Sequence, residues 1–370
     1  MRMVVAGVSV FAVLGVVPVF ATADDPDDRG AVFNMTDDAT SNAVLAFSRN
    51  PDGSLEPASS FATGGMGSGG GESVLGSQGS LFLSRSGRLL FAVNAGSDEI
   101  SSFRVDGSHL TLADHVPSGG ATPVSVTEHD GIVYVLNAGG PGNISGFLVD
   151  ESGRLTPLPN SSRPLSNATS GAADISFDDS GRLLAVTEKT ANAISLYAVG
   201  RDGYATGPTA FPSSGSTPFG FAFTHRDVLV ASEAAGGPSG TSAVSSYDVD
   251  DGKVQVLSAS VPDQQVAACW LVVTFNGRRA FVANAGSGDI SSYAIDRVGR
   301  LLLVSGTAGT LPPGGKPLDL SLTAGDRFLY NLDAGNHSIV AFSVNDDGTL
   351  VPLGAEASGL PASAVGIAAR

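Results

Sequence analysis

Cysteine is nearly absent from this sequence of 370 residues, in which Cys269 is the single copy. One cysteine cannot form an intramolecular disulfide, so the core alone must hold the fold together. Cys269 stands next to Trp270 within an apolar stretch. This setting indicates a core position rather than a nucleophile.

Basic residues are also scarce, with 20 Lys and Arg against 36 Asp and Glu and a formal net charge of −16. Binding to a phosphate backbone needs clustered positive charge. We therefore expect no nucleic-acid partner. An acidic surface mainly favours solubility.

Histidine is rare and scattered, with five copies in the chain. No H-x-x-x-H pair or Cys/His cluster predicts zinc, no nucleophile elbow supports a Ser-His-Asp triad, and no loop has the EF-hand ligand spacing for calcium. We predict no metal and no cofactor. His129 and His225 fall in turns on the face opposite the predicted site.

Only one apolar run in the sequence is long enough to span a membrane, and it lies at the start, from Val4 to Phe20. It is followed by Ala21-Thr22-Ala23 and an acidic stretch, which is typical of a cleaved signal peptide. We predict a signal peptide at 1–23, an acidic linker at 24–30 and one domain at 31–370. The protein would then be exported to the periplasm or the medium, leave the membrane after cleavage, and act as a monomer; the alternative is an uncleaved anchor.

The sequence is rich in glycine, with 48 copies, and in one repeated unit. Phe91–Gly96, followed by Ile100–Phe103, returns almost unchanged as Phe281–Gly286, followed by Ile290–Tyr293. Alternating apolar residues with Gly and Asp turns between them indicate strands joined by hairpins. A closing aromatic recurs at spacings of 44 to 56 residues, at Phe47, Phe103, Phe147, Tyr197, Tyr247, Tyr293 and Phe342.

Seven units of this length predict an all-β fold, a seven-bladed β-propeller with four-stranded antiparallel blades. The first unit lacks its first strand, and Ser363–Ala369 resembles a first strand with nothing after it. We expect this C-terminal strand to complete the N-terminal blade and close the ring, which removes open sheet edges. The glycine-rich stretch 64–71 is expected to be a mobile loop.

With the strands of each blade labelled a to d from the axis outward, one polar residue ends each strand b. The Asn and Asp members are expected to bond the b–c turn, whereas Glu188 and Glu233 are longer and suit that bond less well. The seven members are Asn34, Asn94, Asn137, Glu188, Glu233, Asn284 and Asp333.

The starts of the a strands should line one mouth of the central axis. Asp174 there, or Glu188, would raise the pKa of Glu233 by like-charge proximity, which makes these three the candidate catalytic carboxylates. Lys316 and Arg163 are the candidate cations for a substrate carbonyl. Other candidate substrate contacts are Asp319, Trp270 and Phe219.

The Asn-Ala-Gly units, the turn Ser180–Leu184 and the stretch Lys316–Asp319 together resemble the lactonase family of seven-bladed propellers over residues 31–370. This family includes bacterial 6-phosphogluconolactonase and the fungal carboxy-muconate cycloisomerase. Its catalytic blades begin strand a with His-containing motifs, where this chain has Ser170–Asp174 and Thr217–Gly220. The family's glutamate at the end of a later strand b matches Glu233.

The resemblance implies hydrolysis of a lactone or related ester, with a carboxylate base and a small-molecule lactone as partner. The missing histidines and arginine leave a second reading open. In that reading the protein is a non-catalytic exported propeller that recognises a glycan, a cell-wall component or another protein.

Overall fold

The computed structural model describes residues 30–70, 75–237, 241–250 and 252–370, and every regular element in these ranges is a β-strand. The predicted signal peptide at 1–23 and the linker as far as residue 29 lie outside the described residues. Within the described ranges, no helix has the length and apolar character needed to cross a bilayer.

The strands follow the predicted repeat along the whole described chain. The first half contains β1 (Gly30–Met35), β2 (Ala43–Arg49), β3 (Ser59–Ala62), β4 (Leu81–Leu83), β5 (Leu89–Asn94), β6 (Glu99–Asp106), β7 (His109–Pro117), β8 (Pro123–His129), β9 (Ile132–Asn137), β10 (Asn143–Val149), β11 (Leu155–Pro157), β12 (Arg163–Pro164), β13 (Ala172–Phe177), β14 (Leu183–Glu188), β15 (Ala193–Val199) and β16 (Ala205–Pro212). The second half contains β17 (Pro218–Phe223), β18 (Val228–Glu233), β19 (Ala243–Asp250), β20 (Lys253–Pro262), β21 (Ala268–Val273), β22 (Arg279–Asn284), β23 (Asp289–Ile295), β24 (Leu301–Thr310), β25 (Pro317–Leu322), β26 (Phe328–Asp333), β27 (Ser338–Val344), β28 (Leu350–Ser358) and β29 (Val365–Ala369).

These strands form seven antiparallel sheets, which are the blades of a seven-bladed propeller, as predicted. Six blades have four strands, and in five of them the strands follow chain order from the axis outward. The third blade divides its outer strand into β11 and β12, both paired with β10.

The ring is closed as expected, because β29 pairs with β1 and becomes the inner strand of the first blade. The buried Asn34 amide reinforces this closure by donating to the carbonyls of Val365 (3.4 Å) and Gly366 (2.8 Å). The two ends of the described chain therefore share one sheet, and this pairing leaves β1 without an open edge.

The core lies between the blades, where the closing aromatic of each strand c packs. All seven are at most 4% exposed: Phe47, Phe103, Phe147, Tyr197, Tyr247, Tyr293 and Phe342. Each large ring fills the space between adjacent twisted sheets, so the repeated aromatic is explained by burial of apolar area.

The glycine-rich segment is ordered between the first two blades in its described part, residues 64–70, which corrects the expectation of a mobile loop. The amides of Gly67 and Gly69 donate to the carbonyls of Asp38 (2.7 Å) and Asp37 (2.9 Å), and the Gly96 amide donates to Met66 (3.0 Å). A Cβ at Gly67 or Gly96 would overlap neighbouring backbone. Glycine here permits close backbone approach rather than mobility.

Candidate functional site

Glu188 and Glu233 end strands β14 and β18 as predicted, but both side chains are completely buried. Glu188 accepts hydrogen bonds from the Ser166 amide (3.1 Å) and the Ser195 hydroxyl (2.6 Å), and its other oxygen accepts the Ser166 hydroxyl. Donors therefore occupy both carboxylate oxygens. The geometry gives Glu188 a structural task, tying strand c of its blade to the preceding d–a loop.

Glu233 is held in the same way by more donors. Its Oε1 accepts the Gly215 amide (2.8 Å) and the Ser245 hydroxyl (2.5 Å), and its Oε2 accepts the Ser260 hydroxyl (2.7 Å). Among the partners that the structure describes, none is common to the two glutamates. Glu188 and Glu233 therefore belong to separate hydrogen-bond networks.

The asparagines at the ends of strands b form hydrogen bonds to strand c rather than to the b–c turn, which corrects the sequence-based expectation. The amides of Asn94, Asn137 and Asn284 donate to serine hydroxyls two residues into strand c, at 2.8, 3.1 and 2.7 Å. Among the described residues of this set, only Asp333 accepts a hydrogen bond from its b–c turn. The donor is the backbone amide of Asn336 (3.3 Å). Asn34 does not belong to this set, since it lies two residues before the corresponding end of its strand b. It matches the position of Asn331 instead, and the amides of both residues donate to carbonyls of their inner strands.

The predicted cations are placed differently from one another. Arg163 lies in β12 at the outside of the third blade, where its guanidinium donates to the carbonyls of Asn160 (2.9 Å), Ser162 (2.7 Å) and Ala205 (2.7 Å). Arg163 thus joins two blades far out on the sheet and does not line the axis as expected. Lys316 does precede an inner strand, and its amide donates to Asp333 (2.8 Å).

The mouth of the axis on the b–c face, where the site was predicted, is filled by the protein itself. The Trp270 indole donates to the Ser77 carbonyl (2.9 Å) and packs edge-on against Phe219, with ring centroids 5.0 Å apart. Lys189 lies over the Phe219 ring and donates to the Gly76 carbonyl. Burial lowers the pKa of Lys189. Segment 75–78 therefore closes this end of the axis.

Gln78 ends this closing segment and reaches across the axis to two other blades. Its Nε2 donates to the carbonyls of Leu271 (3.0 Å) and Phe221 (3.4 Å), and its Oε1 accepts the Leu271 amide (2.8 Å). A Cβ on Gly220 would overlap the Gln78 Oε1. Glycine at that inner position is what leaves room for the Gln78 side chain.

Two predicted carboxylates, Asp174 and Asp319, do come together in the centre of the ring. They occupy equivalent positions on the inner strands β13 and β25 and are 3% and 5% exposed. Burial raises the pKa of Asp174 to about 7, against hydrogen bonds from the Phe221 amide and the Ser125 hydroxyl. Burial likewise raises the pKa of Asp319 to about 8, and the nearby charge of Asp174 adds to that rise.

An open funnel leads to Asp319 and Gln78 from the opposite face, the face of the a–b turns. It has two lobes of about 550 and 420 Å³ that share Gln78, Phe82 and Arg85. Asp319 lines the first lobe, at its inner end. Volumes of this size accommodate small-molecule ligands.

The funnel rim is a chain of side chains from successive a–b turns. Asp179 accepts hydrogen bonds from Arg85 and from Nδ1 of His225 (3.0 Å), and the His225 ring packs edge-on against Phe275 at 4.5 Å. Burial raises the pKa of Asp179, but Arg85 and His225 outweigh it, so the net shift is downward. The Phe275 amide in turn donates to Asp326 (2.8 Å).

Sequence reasoning missed this rim because it discounted the a–b face. A signal was available: Arg85, Asp179, His225 and Phe275 each occupy the second position of their a–b turn. Aligning the repeats on those turns, rather than on the ends of the b strands, would have placed these four residues in one ring.

In the ranges the structure describes, no group of three or more His, Cys, Asp and Glu residues could hold a metal ion.

The blades, their closure and the axial funnel define the class of protein: a seven-bladed β-propeller with an open funnel at one end of its axis. Residues 38–164 match the family model described as lactonase, seven-bladed β-propeller. The resemblance to the lactonase family is thereby confirmed, on that part of the chain.

Solved structures with the same fold extend over almost the whole chain. A candidate 6-phosphogluconolactonase from Bacteroides uniformis is 19% identical with a TM-score of 0.73, covering 91% of this chain and 99% of its own. The periplasmic gluconolactonase PpgL of Pseudomonas aeruginosa is 18% identical with a TM-score of 0.66, covering 89% and 97%. No curated protein matches the sequence. At these identities the likeness concerns the fold.

Proposed function

We propose that this protein hydrolyses a lactone or a related ester in the axial funnel, with Asp319 as the group that transfers the proton. The observation that carries the proposal is the position of Asp319 at the inner end of an open cavity, with a pKa raised to about 8. A general base works best when its pKa is near the working pH. The predicted base, Glu233, has its oxygens occupied by donors instead.

The reaction follows from these groups. The Asp319 carboxylate takes a proton from water as the water oxygen adds to the carbonyl carbon of the lactone. The addition gives a tetrahedral intermediate whose negative charge lies on the former carbonyl oxygen. The ring C–O bond then breaks, the leaving oxygen takes the proton back from Asp319, and the product is a hydroxy acid.

Asp174 has a supporting role in this proposal. Its charge raises the pKa of Asp319, so it keeps that carboxyl closer to the pH at which it can both take and return a proton. Asp174 itself is held by the Phe221 amide (3.2 Å) and the Ser125 hydroxyl (3.2 Å). It is a positioning residue rather than a catalytic one.

The test compares two carboxylates. Asp319→Asn should reduce lactone turnover by at least about a hundredfold, the usual scale of acid–base catalysis, and Glu233→Gln should leave kcat of the folded enzyme within about threefold. In the unmodified protein, kcat/KM should rise with pH up to a plateau above about 8, once the alkaline background is subtracted. If Glu233→Gln abolished turnover and Asp319→Asn did not, the base would be the residue predicted from sequence.

A non-catalytic binding role is the second candidate, and the exposed ring of Phe275 favours it. This side chain is 67% exposed at the funnel rim, where an aromatic surface suits recognition of a glycan or protein. A panel of lactones with no turnover, together with a ligand whose stabilising effect is lost in Phe275→Ala, would support binding alone.

Export is part of the proposal as well. The apolar run Val4–Phe20 with the small residues after it supports a cleaved signal. Cell fractionation of the full chain should recover a protein shortened near residue 23 outside the cytoplasm, and a variant without 1–23 should stay inside.

A further inference from the structure

The wall of the funnel between its floor and its rim is mostly apolar. Inner strands of four blades contribute partly exposed side chains to it, where the axis widens toward the a–b face. They are Phe82, Leu83, Phe223, Val272, Val273 and Leu322. Apolar side chains that line an open cavity, instead of being covered by the core, indicate a binding surface.

Two hydroxyl groups in this wall already have one backbone partner each. Ser176 Oγ donates to the Phe177 carbonyl (3.1 Å), and Ser321 Oγ accepts the Ala369 amide (2.9 Å). A polyhydroxylated ligand would lose its bonds to water in this zone and gain few in return, which costs free energy for each unpaired group. The other polar groups of the funnel are Asp319 and Gln78 at its floor, Thr127 and Glu128 on the inner strand of the third blade, and the side chains of the rim.

We propose that the funnel selects lactones that carry an alkyl chain over sugar lactones, an inference that rests on the proposed hydrolysis at Asp319. The reacting ring would lie at the floor and the chain would run along the apolar wall toward the rim. The lobes of about 550 and 420 Å³ leave room for more than a single ring. The substrate class is therefore an alkyl-substituted lactone or a comparable ester.

Phe275 extends the apolar surface to the outside. Its ring is 67% exposed, yet it is held in place by the His225 ring at 4.5 Å and by its own amide bond to Asp326 (2.8 Å). An exposed aromatic that is fixed from behind gives contact area with little loss of conformational entropy. The end of a long chain would lie against it.

The first experiment uses the unmodified protein and a series of γ-lactones with side chains from methyl to octyl, beside glucono-lactone. Each added methylene should raise kcat/KM by about fourfold until the funnel is filled, which corresponds to about 0.8 kcal/mol per buried methylene. Equal kcat/KM along the series, or preferred turnover of the sugar lactone, would overturn the inference while hydrolysis itself stood.

A second readout separates this inference from the proposed reaction. Alkyl-substituted cyclic ethers have the ring and the chain but no carbonyl, so they can bind and cannot be hydrolysed. Stabilisation of the protein by these ethers should increase with chain length, and Asp319→Asn should still show it. Such a trend without turnover of any lactone would refute the proposed function alone, and the absence of both trends would refute both.

Variants of the wall give the residue-level test. Val273→Thr keeps the shape of the side chain and should lower kcat/KM for the octyl lactone by about fivefold, with little change for the methyl lactone. Leu322→Gln, in a different blade, should act in the same direction if the first variant folds poorly. Val304→Thr on the outer strand β24 is the matched control, since its side chain is exposed far from the axis. Equal effects on both lactones would contradict the proposal.

Discussion

Asp174 and Asp319 face the same axial space from the fourth and seventh blades, and the charge of Asp174 raises the pKa of Asp319. Both carboxyls are buried, with pKa values of about 7 and 8. Two ionised carboxylates in one apolar centre would repel each other without a counter-ion to compensate. The pair is therefore costly to stability, and a cost of this kind at the end of a cavity is typical of a functional site.

Stability should fall as the pH rises from about 4 to about 8. In that window the folded protein keeps protons on Asp174 and Asp319 that the unfolded chain, with carboxyl pKa values near 3.8, has released. Each group lowers the free energy of unfolding by up to about 1.4 kcal/mol per pH unit. Asp319→Asn should flatten this slope and should be more stable than the unmodified protein at pH 8, measured by thermal unfolding. An unchanged slope would show that Asp319 is not protonated in the fold.

Glu233→Gln should lower the free energy of unfolding. The amide would place a second donor among hydroxyl and amide groups that now donate to the carboxylate, including the Gly215 amide and the Ser260 hydroxyl. A loss of about 1–3 kcal/mol in the free energy of unfolding is expected from unsatisfied buried groups. Urea unfolding measures this, and Glu188→Gln serves as the comparison in the neighbouring blade. An unchanged free energy of unfolding in both variants would argue against the structural role of these two glutamates.

Gly220→Ala should disturb the closure of the axis. The added Cβ would meet the Gln78 amide and lie 2.8 Å from the Cys269 carbonyl, which is closer than real contacts allow. A loss of about 1–3 kcal/mol is expected from overpacking. The double variant with Gln78→Ala should recover part of it, because one of the two clashes is then gone. Strict additivity of the two substitutions would show that Gln78 does not occupy this space.

Removal of residues 365–370 should prevent the ring from closing. Strand β29 supplies the inner strand of the first blade, and the Asn34 amide would lose its acceptors Val365 and Gly366. The exposed edge of β1 is then open to pairing with other chains. We expect aggregation or loss of cooperative unfolding by circular dichroism and gel filtration. Asn34→Ala should be milder, at about 1–2 kcal/mol, and a stable monomer after truncation would contradict the account of closure.

Much of the fold was predictable because its causes are local and repeated. Period-two alternation, glycine turns and one aromatic per unit are each set by neighbours in the chain, and the count of units fixes the number of blades. The closing of the ring by Val365–Ala369 followed from one missing strand at the start. The glycine-rich segment was misjudged, since Gly67 and Gly96 are required by backbone that lies far away in sequence.

The candidate site was predictable only in part. Asp174 and Asp319 were placed on the inner strands, where the structure has them, and Phe219 and Trp270 were placed beside the axis. Arg163 was predicted to lie near the axis but lies far from it, because β12 pairs with β10 at the outside of its blade. Whether a side chain lines an open cavity depends on which end of the axis is closed, and segment 75–78 determines that through contacts with four other blades.

The sequence by itself determined the repeat, the number of blades, the closure of the ring and the polar residue at the end of strand b in six blades. These features follow from periodicity and from burial patterns that each unit carries within itself. Only the tertiary structure decided what the polar residues do. Glu188 and Glu233 became buried acceptors because serines from neighbouring strands and loops surround them. Asp319 became the inner end of the funnel because Gln78 closes the axis behind it.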